Sequence, residues 1–266
     1  MTFTAMRPLF GIGNGREIAL FNVAHAKAQS APAATQPSHK VRIVLAGDST
    51  VTDNAGWGKG FADSMSSDVE VINLSKGGRS SGSFVKEGRW KQTLELKPDY
   101  VLVQFGHNDQ PGHGADRETD PQTTYKQNMS KYIDEGRAAG IKMVLVTSLS
   151  RREWGADNKI HSKLQPWADA VKQLAAEKNV ALIDLHARSI ELYESLGKEK
   201  IQEMSPTKAP STKPSDSGDT TSAGPVYDGT HLNAKGGPVV GRIVAQELAK
   251  AVPDLAQYVK SAANEK

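Results

Sequence analysis

The stretch VRIVLAGDST, residues 41–50, limits the possible folds of this chain more than any other. It is a short apolar run broken at Gly47-Asp48-Ser49. Such a run reads as a strand buried on both faces of a parallel sheet, since a strand with one wet face would alternate polar and apolar residues. Comparable runs follow: VEVINLS (69–75), YVLVQFG (100–106), IKMVLVTSLS (141–150) and VALIDL (180–185). Between them, GRWKQTLELKPD (88–99), TTYKQNMSKYIDEGRAAG (123–140) and LQPWADAVKQLAAEKN (164–179) have helical spacing, and AKGGPVVGRIVAQELAKAV (234–252) makes a last helix. Pro98 and Gly140 act as stops. Short strands alternating with helices predict an α/β fold on a five-stranded, mainly parallel sheet.

With 266 residues, 38% hydrophobic and 24% charged, the chain suits one large domain, here residues 39–260. It has no cysteine, which excludes disulfides and thiolate metal sites. The net charge of +3 lies wholly in residues 1–40; residues 41–266 carry 29 charges of each sign, so no nucleic-acid partner is expected. Residues 1–38 form an Ala/Pro/Ser/Gln-rich arm without a core-forming pattern. Within it IALFNVAHA (18–26) resembles the apolar centre of a secretory signal, with Ala24-His25-Ala26 and Ala26-Lys27-Ala28 as small-x-small cleavage patterns, so the protein is expected to be secreted or periplasmic. No run reaches the length of a membrane span, and no membrane partner is expected. Residues 203–226, EMSPTKAPSTKPSDSGDTTSAGPV, read as a Pro/Ser/Thr-rich surface insertion.

Three strand ends carry polar clusters: Gly47-Asp48-Ser49, Gly77-Gly78-Arg79-Ser80 and Gly106-His107-Asn108-Asp109. Parallel strands place these ends on one edge. Ser49 is the candidate nucleophile, and capping of the next segment is its plainer role. The N–H groups of Ser49 and Gly78 and the side chain of Asn108 are candidate oxyanion donors. Asp228-Gly-Thr-His231 offers a base, His231, with an orienting carboxylate three residues away, although the same tetrapeptide also suits a turn. Trp57 and Trp154 could stack on sugar rings or pack in the interior. Arg79 follows Gly78 directly and, with Lys76, Lys86, Arg89, Arg151 and Arg152, could attract an acidic substrate; His107 joins these substrate-binding candidates. His107, His113, His161 and Asp116 lack metal-ligand spacing, so no metal is expected. The Gly-rich 77–82 segment lacks a P-loop ending.

The four clusters, in this order across residues 41 to about 250, resemble the SGNH or GDSL-type hydrolases, and their wording looks most like the rhamnogalacturonan acetylesterase branch. The resemblance implies a flavodoxin-like three-layer α/β/α sandwich, no cofactor, and a Ser49-His231-Asp228 serine esterase that removes acetyl groups from plant cell-wall polysaccharide such as rhamnogalacturonan or pectin. An acetylxylan esterase and a lipase-like acyl hydrolase on the same triad are the alternative enzymes. A carbohydrate-binding protein on the same fold is the non-enzyme alternative. The sequence assigns no oligomeric state.

Overall fold

A computed structural model describes residues 40–208 and 226–261; the arm at 1–38 and the middle of the 203–226 insertion lie outside the described residues. The apolar runs form β1 (Val41–Gly47), β2 (Val69–Asn73), β3 (Tyr100–Gln104), β4 (Lys142–Val146) and β5 (Ala181–Ile183). All are parallel, in the order β2-β1-β3-β4-β5. Chain order reverses beside β1, which opens a crevice above the C-terminal ends of β1 and β3, where open α/β sheets bind their ligands.

Each central strand is apolar on both faces. Ile43, Leu45, Tyr100, Leu102, Val144 and Val146 face one core; Val44, Ala46, Val101, Val103, Met143 and Leu145 face the other. This is the period of two expected of a strand covered twice. The first core is closed by α1 (Gly58–Asp63), α6 (Leu185–Leu196), α7 (Lys198–Gln202), α8 (Gly236–Ala251) and a 3-10 turn at Pro253–Tyr258. The second is closed by α2 (Ser81–Lys86), α3 (Arg89–Glu95), α4 (Thr124–Ala138) and α5 (Gln165–Lys178). The result is a three-layer α/β/α sandwich.

Helix α4 shows how pattern becomes packing. Tyr125, Met129, Tyr132, Ile133 and Gly136 lie on one face and are all buried, and the chain leaves the helix through Gly140 at φ +77°. Helices α1 and α8 meet through backbone. A Cβ on Gly60 would stand 2.4 Å from the Gly237 carbonyl oxygen, and one on Gly241 2.2 Å from the Phe61 nitrogen. Only glycine allows that approach.

Three details differ from the sequence reading. β2, β3 and β4 end before their apolar runs do; beyond β3 and β4, Phe105 and Leu149 pack into the cores from loops rather than from the sheet. The 77–82 segment passes into a helix, α2, whose cap Ser80 exchanges hydrogen bonds with Ser83. Finally, the 203–226 excursion starts later than its composition suggests. Met204 and Ser205 are buried, and two short strands, β6 (Thr207–Lys208) and β7 (Val226–Tyr227), pair antiparallel at its two ends.

Candidate active site

The nucleophile turn is built from β1 upward. At Gly47 a Cβ would lie 2.5 Å from Val51 Cγ2 and 2.7 Å from the Gln104 carbonyl oxygen, so the strand must end in glycine. Asp48 is fully buried, and its Oδ1 accepts hydrogen bonds from Thr50 N–H (2.9 Å) and Thr50 O–H (2.7 Å), which bends the chain around Ser49. Burial pushes the Asp48 carboxyl above its usual range despite these bonds. Behind the turn, Gln104 Nε2 donates to Thr50 Oγ1 (2.7 Å) and Trp57 Nε1 donates to Gln104 Oε1 (2.9 Å). A buried polar chain thus supports the residue after the nucleophile.

The base arrives from the loop before α8. His231 Nε2 lies 2.8 Å from Ser49 Oγ, and His231 Nδ1 lies 3.0 Å from Asp228 Oδ2. A carboxylate can only accept, so Nδ1 carries the proton and Nε2 is left to accept from the serine hydroxyl. Asp228 Oδ1 also accepts the N–H groups of Thr230 (2.7 Å) and His231 (3.1 Å). Burial acts to raise the Asp228 carboxyl, but the bonds from His231 and Thr230 outweigh it and hold the group well below the usual carboxylate range. Asp228 is therefore ionised wherever the imidazole needs it.

Gly78 adopts φ +79°, a left-handed conformation suited to glycine, and a Cβ on its neighbour Gly77 would sit 3.6 Å from Ser49 Cβ. Asn108 Nδ2 donates to the Arg79 carbonyl oxygen (3.1 Å), which orients the amide and leaves its second N–H for a substrate. Asp109 fixes the two donors relative to each other. Its buried carboxyl accepts from Ser81 N–H and from the hydroxyls of Ser81 and Thr119, joining the loop after β3 to the start of α2. Burial pushes the Asp109 pKa up to about 7.

The substrate-binding candidates fare differently. Trp57 is 0% exposed and cannot stack on a sugar; it is a hydrogen-bonded core residue. His107 is 3% exposed, with Nε2–H donating to the Leu149 carbonyl (2.8 Å), so it is structural as well. Arg79 Nε donates to both carboxylate oxygens of Glu87 (3.0 and 2.9 Å) and its Nη1 to the Gly77 carbonyl, partners with which an acidic substrate would have to compete. Arg89 shares Glu87. Trp154 is half-buried, packs against the core and borders a cleft with Tyr227 and Lys198 beside Asp228. Lys76 is exposed and lines the groove that contains Ser49.

Arg151 and Arg152 part company. Arg151 spans the site, donating to Thr230 Oγ1 (3.2 Å), the His107 carbonyl (3.2 Å) and Gln110 Oε1 (3.0 Å), whereas Arg152 turns inward. Arg117, which no motif had marked, reaches the Gly78 carbonyl (3.4 Å) from the 110–121 loop. Among the described residues, no group of three or more His, Asp or Glu could hold a metal ion, and no helix is long and apolar enough to cross a membrane.

The sequence profile of the GDSL-like lipase/acylhydrolase family matches residues 44–237, a span that contains Ser49, Gly78, Asn108, Asp228 and His231. The chain belongs to this GDSL-like family. Among its relatives, the rhamnogalacturonan acetylesterase RhgT of Bacillus subtilis is 37% identical over 215 residues, covering 77% of this chain and 88% of the relative. A rhamnogalacturonan acetylesterase of Emericella nidulans is 29% identical over 223 residues, covering 74% and 80%. Of solved structures, protein YxiM of Bacillus subtilis superposes with a TM-score of 0.63 at 26% identity, covering 81% of this chain and 58% of that one. The acetyl xylan esterase AlAXEase superposes at 0.56 and 19% identity, covering 80% and 100%, a likeness of fold. As a GDSL-like acylhydrolase, the protein is a carboxylic ester hydrolase.

Proposed function

We propose that this esterase removes O-acetyl groups from an acidic plant cell-wall polysaccharide of the rhamnogalacturonan or pectin type. The observation that carries the reading is the groove containing Ser49. Thr52, Asp53, Asn54, Asn73, Ser75 and Lys76 line it, and among the described lining residues only Ala55 has an apolar side chain. Such walls supply hydrogen bonds to hydroxyl-rich sugars and would leave a long acyl chain against polar groups, at a desolvation cost. Two guanidinium groups, Arg117 at the Gly78 carbonyl and Arg151 between His107 and Thr230, flank the reacting centre, and among the described residues neither has a carboxylate partner. They suit a uronate carboxylate on the same glycan. The names of the two acetylesterase relatives point the same way.

The chemistry follows from the distances. Ser49 Oγ attacks the acetyl carbonyl while His231 Nε2 takes its proton, and Asp228 stabilises the imidazolium that forms. The Ser49 and Gly78 N–H groups and the free N–H of Asn108 receive the developing oxyanion. His231 returns the proton to the departing sugar oxygen, and a water repeats the sequence on the acetyl-enzyme. The signal-like segment at 18–26 supports export, which intact-mass analysis of the exported protein tests through cleavage after Ala26 or Ala28. For the substrate, acetate release is measured on acetylated pectin fragments, acetylated xylan and long-chain p-nitrophenyl esters. Preference for pectin fragments is expected; preference for the long-chain esters would overturn the reading.

A further inference from the structure

Arg152 donates three hydrogen bonds to the tetrapeptide that carries the base. Its backbone N–H donates to the Gly229 carbonyl (2.8 Å), and its Nη2 donates to the carbonyls of Asp228 and His231, both at 2.6 Å. Three of the four carbonyls of the 228–231 turn therefore end on one residue. Arg152 is 8% exposed, and its guanidinium lies over the buried ring of Tyr193, 5.5 Å from its centroid. Its Nε and Nη1 have no hydrogen-bond partner, and among the described residues it has no ion pair.

Burying a cation without a carboxylate is costly, and apolar packing would serve stability better in many such places. What apolar packing could not do is satisfy two carbonyls that converge on one buried point. Nη2 carries two N–H groups, one for each. The bond from His231 to Asp228 orients the imidazole within its turn but does not set the position of that turn over β1. Among the described residues, further backbone ties lie at its margins, Asp228 N–H to Pro206, Leu232 N–H to Ala55 and Asn233 N–H to Met204, and Arg151 holds the Thr230 hydroxyl within it.

We propose that Arg152 is the positioning residue of the catalytic turn: by gripping the carbonyls at both ends of Asp228–His231 it sets the reach of the imidazole to Ser49. It touches neither substrate nor reacting atoms and works through His231. The inference holds whichever ester is the natural substrate, so p-nitrophenyl acetate serves as probe and the polysaccharide reading is not at stake.

The test is a double-mutant cycle of Arg152→Met with His231→Ala, with Arg152→Lys and Arg152→Gln alongside and the melting temperature of each recorded. Since an ångström-scale misplacement of a catalytic group costs on the order of 10²-fold, Arg152→Met is expected to lower kcat by roughly that factor, with KM changed much less. In the His231→Ala background it should cost nothing further, because the group it positions is gone. Arg152→Lys, which keeps a buried donor on a shorter arm, should recover part of the rate. Phosphonylation of Ser49 by a small phosphonate ester should slow in parallel with kcat. Equal losses in both backgrounds would overturn the proposal, as would a folded variant that retains near-normal kcat. If Arg152→Met does not fold, the same cycle with the lysine or glutamine variant decides between these outcomes.

Discussion

Nε2 of His231 stands 2.8 Å from Oγ of Ser49 although 182 positions of sequence separate them. The two side chains act as one unit, so their removal is not additive. Ser49→Ala and His231→Ala are each expected to lower kcat by roughly 10⁴-fold or more, and the double variant should be hardly worse than either. Acetate release by the three proteins checks this; a single variant that keeps a tenth of the rate would contradict it.

Asn108 offers the oxyanion one N–H while its other is tied to the Arg79 carbonyl. Asn108→Ala should cost about 10²- to 10³-fold in kcat with a small change in KM, because the donor acts on charge that appears only in the transition state. A large rise in KM at constant kcat would make Asn108 a ground-state binding residue instead.

Asp109 gives a pH signature to stability. Burial lifts its folded pKa from 3.8 to about 7, so between those values the folded chain keeps a proton that the unfolded chain has lost. The folded state binds more protons there, and this contribution to stability falls as pH rises through the window, levelling off above it. Asp109→Asn lacks the titration. Its melting temperature relative to wild type should therefore climb from about pH 4 to about pH 7 and then stay constant; a flat difference would show that the carboxyl titrates normally.

Arg117 and Arg151 have no carboxylate partner among the described residues, whereas Arg79 is paired with Glu87. Arg117→Gln and Arg151→Gln are each expected to lower kcat/KM on acetylated pectin fragments about tenfold more than on the same fragments with their carboxyls methyl-esterified, while Arg79→Ala shows no such selectivity. Added salt should weaken the wild-type preference for the acidic form. Equal losses on both substrates would leave these arginines structural and favour a neutral glycan.

The legible part of the sequence was the part written in local pattern. Runs such as VRIVLAG and YVLVQFG declare doubly covered strands, and Ser49, Gly78, Asn108, Asp228 and His231 stand at the ends of elements that parallel topology must gather on one edge. What stayed hidden depends on partners distant in sequence. Trp57 is a core residue because Gln104 receives its N–H, and Arg79 is neutralised because Glu87, eight positions on, folds back along α2. Two adjacent arginines take different partners, Arg151 the His107 carbonyl and Gln110, Arg152 the carbonyls of Asp228 and His231, and nothing in their own sequence says which is buried. Arg117 lies in a polar loop with no periodicity to read, and its position over Gly78 exists only in the folded chain.

The long sequence separation between the Ser49 turn and the Asp228–His231 turn bears on when this enzyme becomes an enzyme. During translation, Ser49, Gly78 and Asn108 are added long before residue 231, so for that interval the chain carries its nucleophile and oxyanion donors without the base. Ser49 has its base only once His231, 182 positions later, has been added. The order of synthesis thus places the nucleophile in the chain well before the group that activates it.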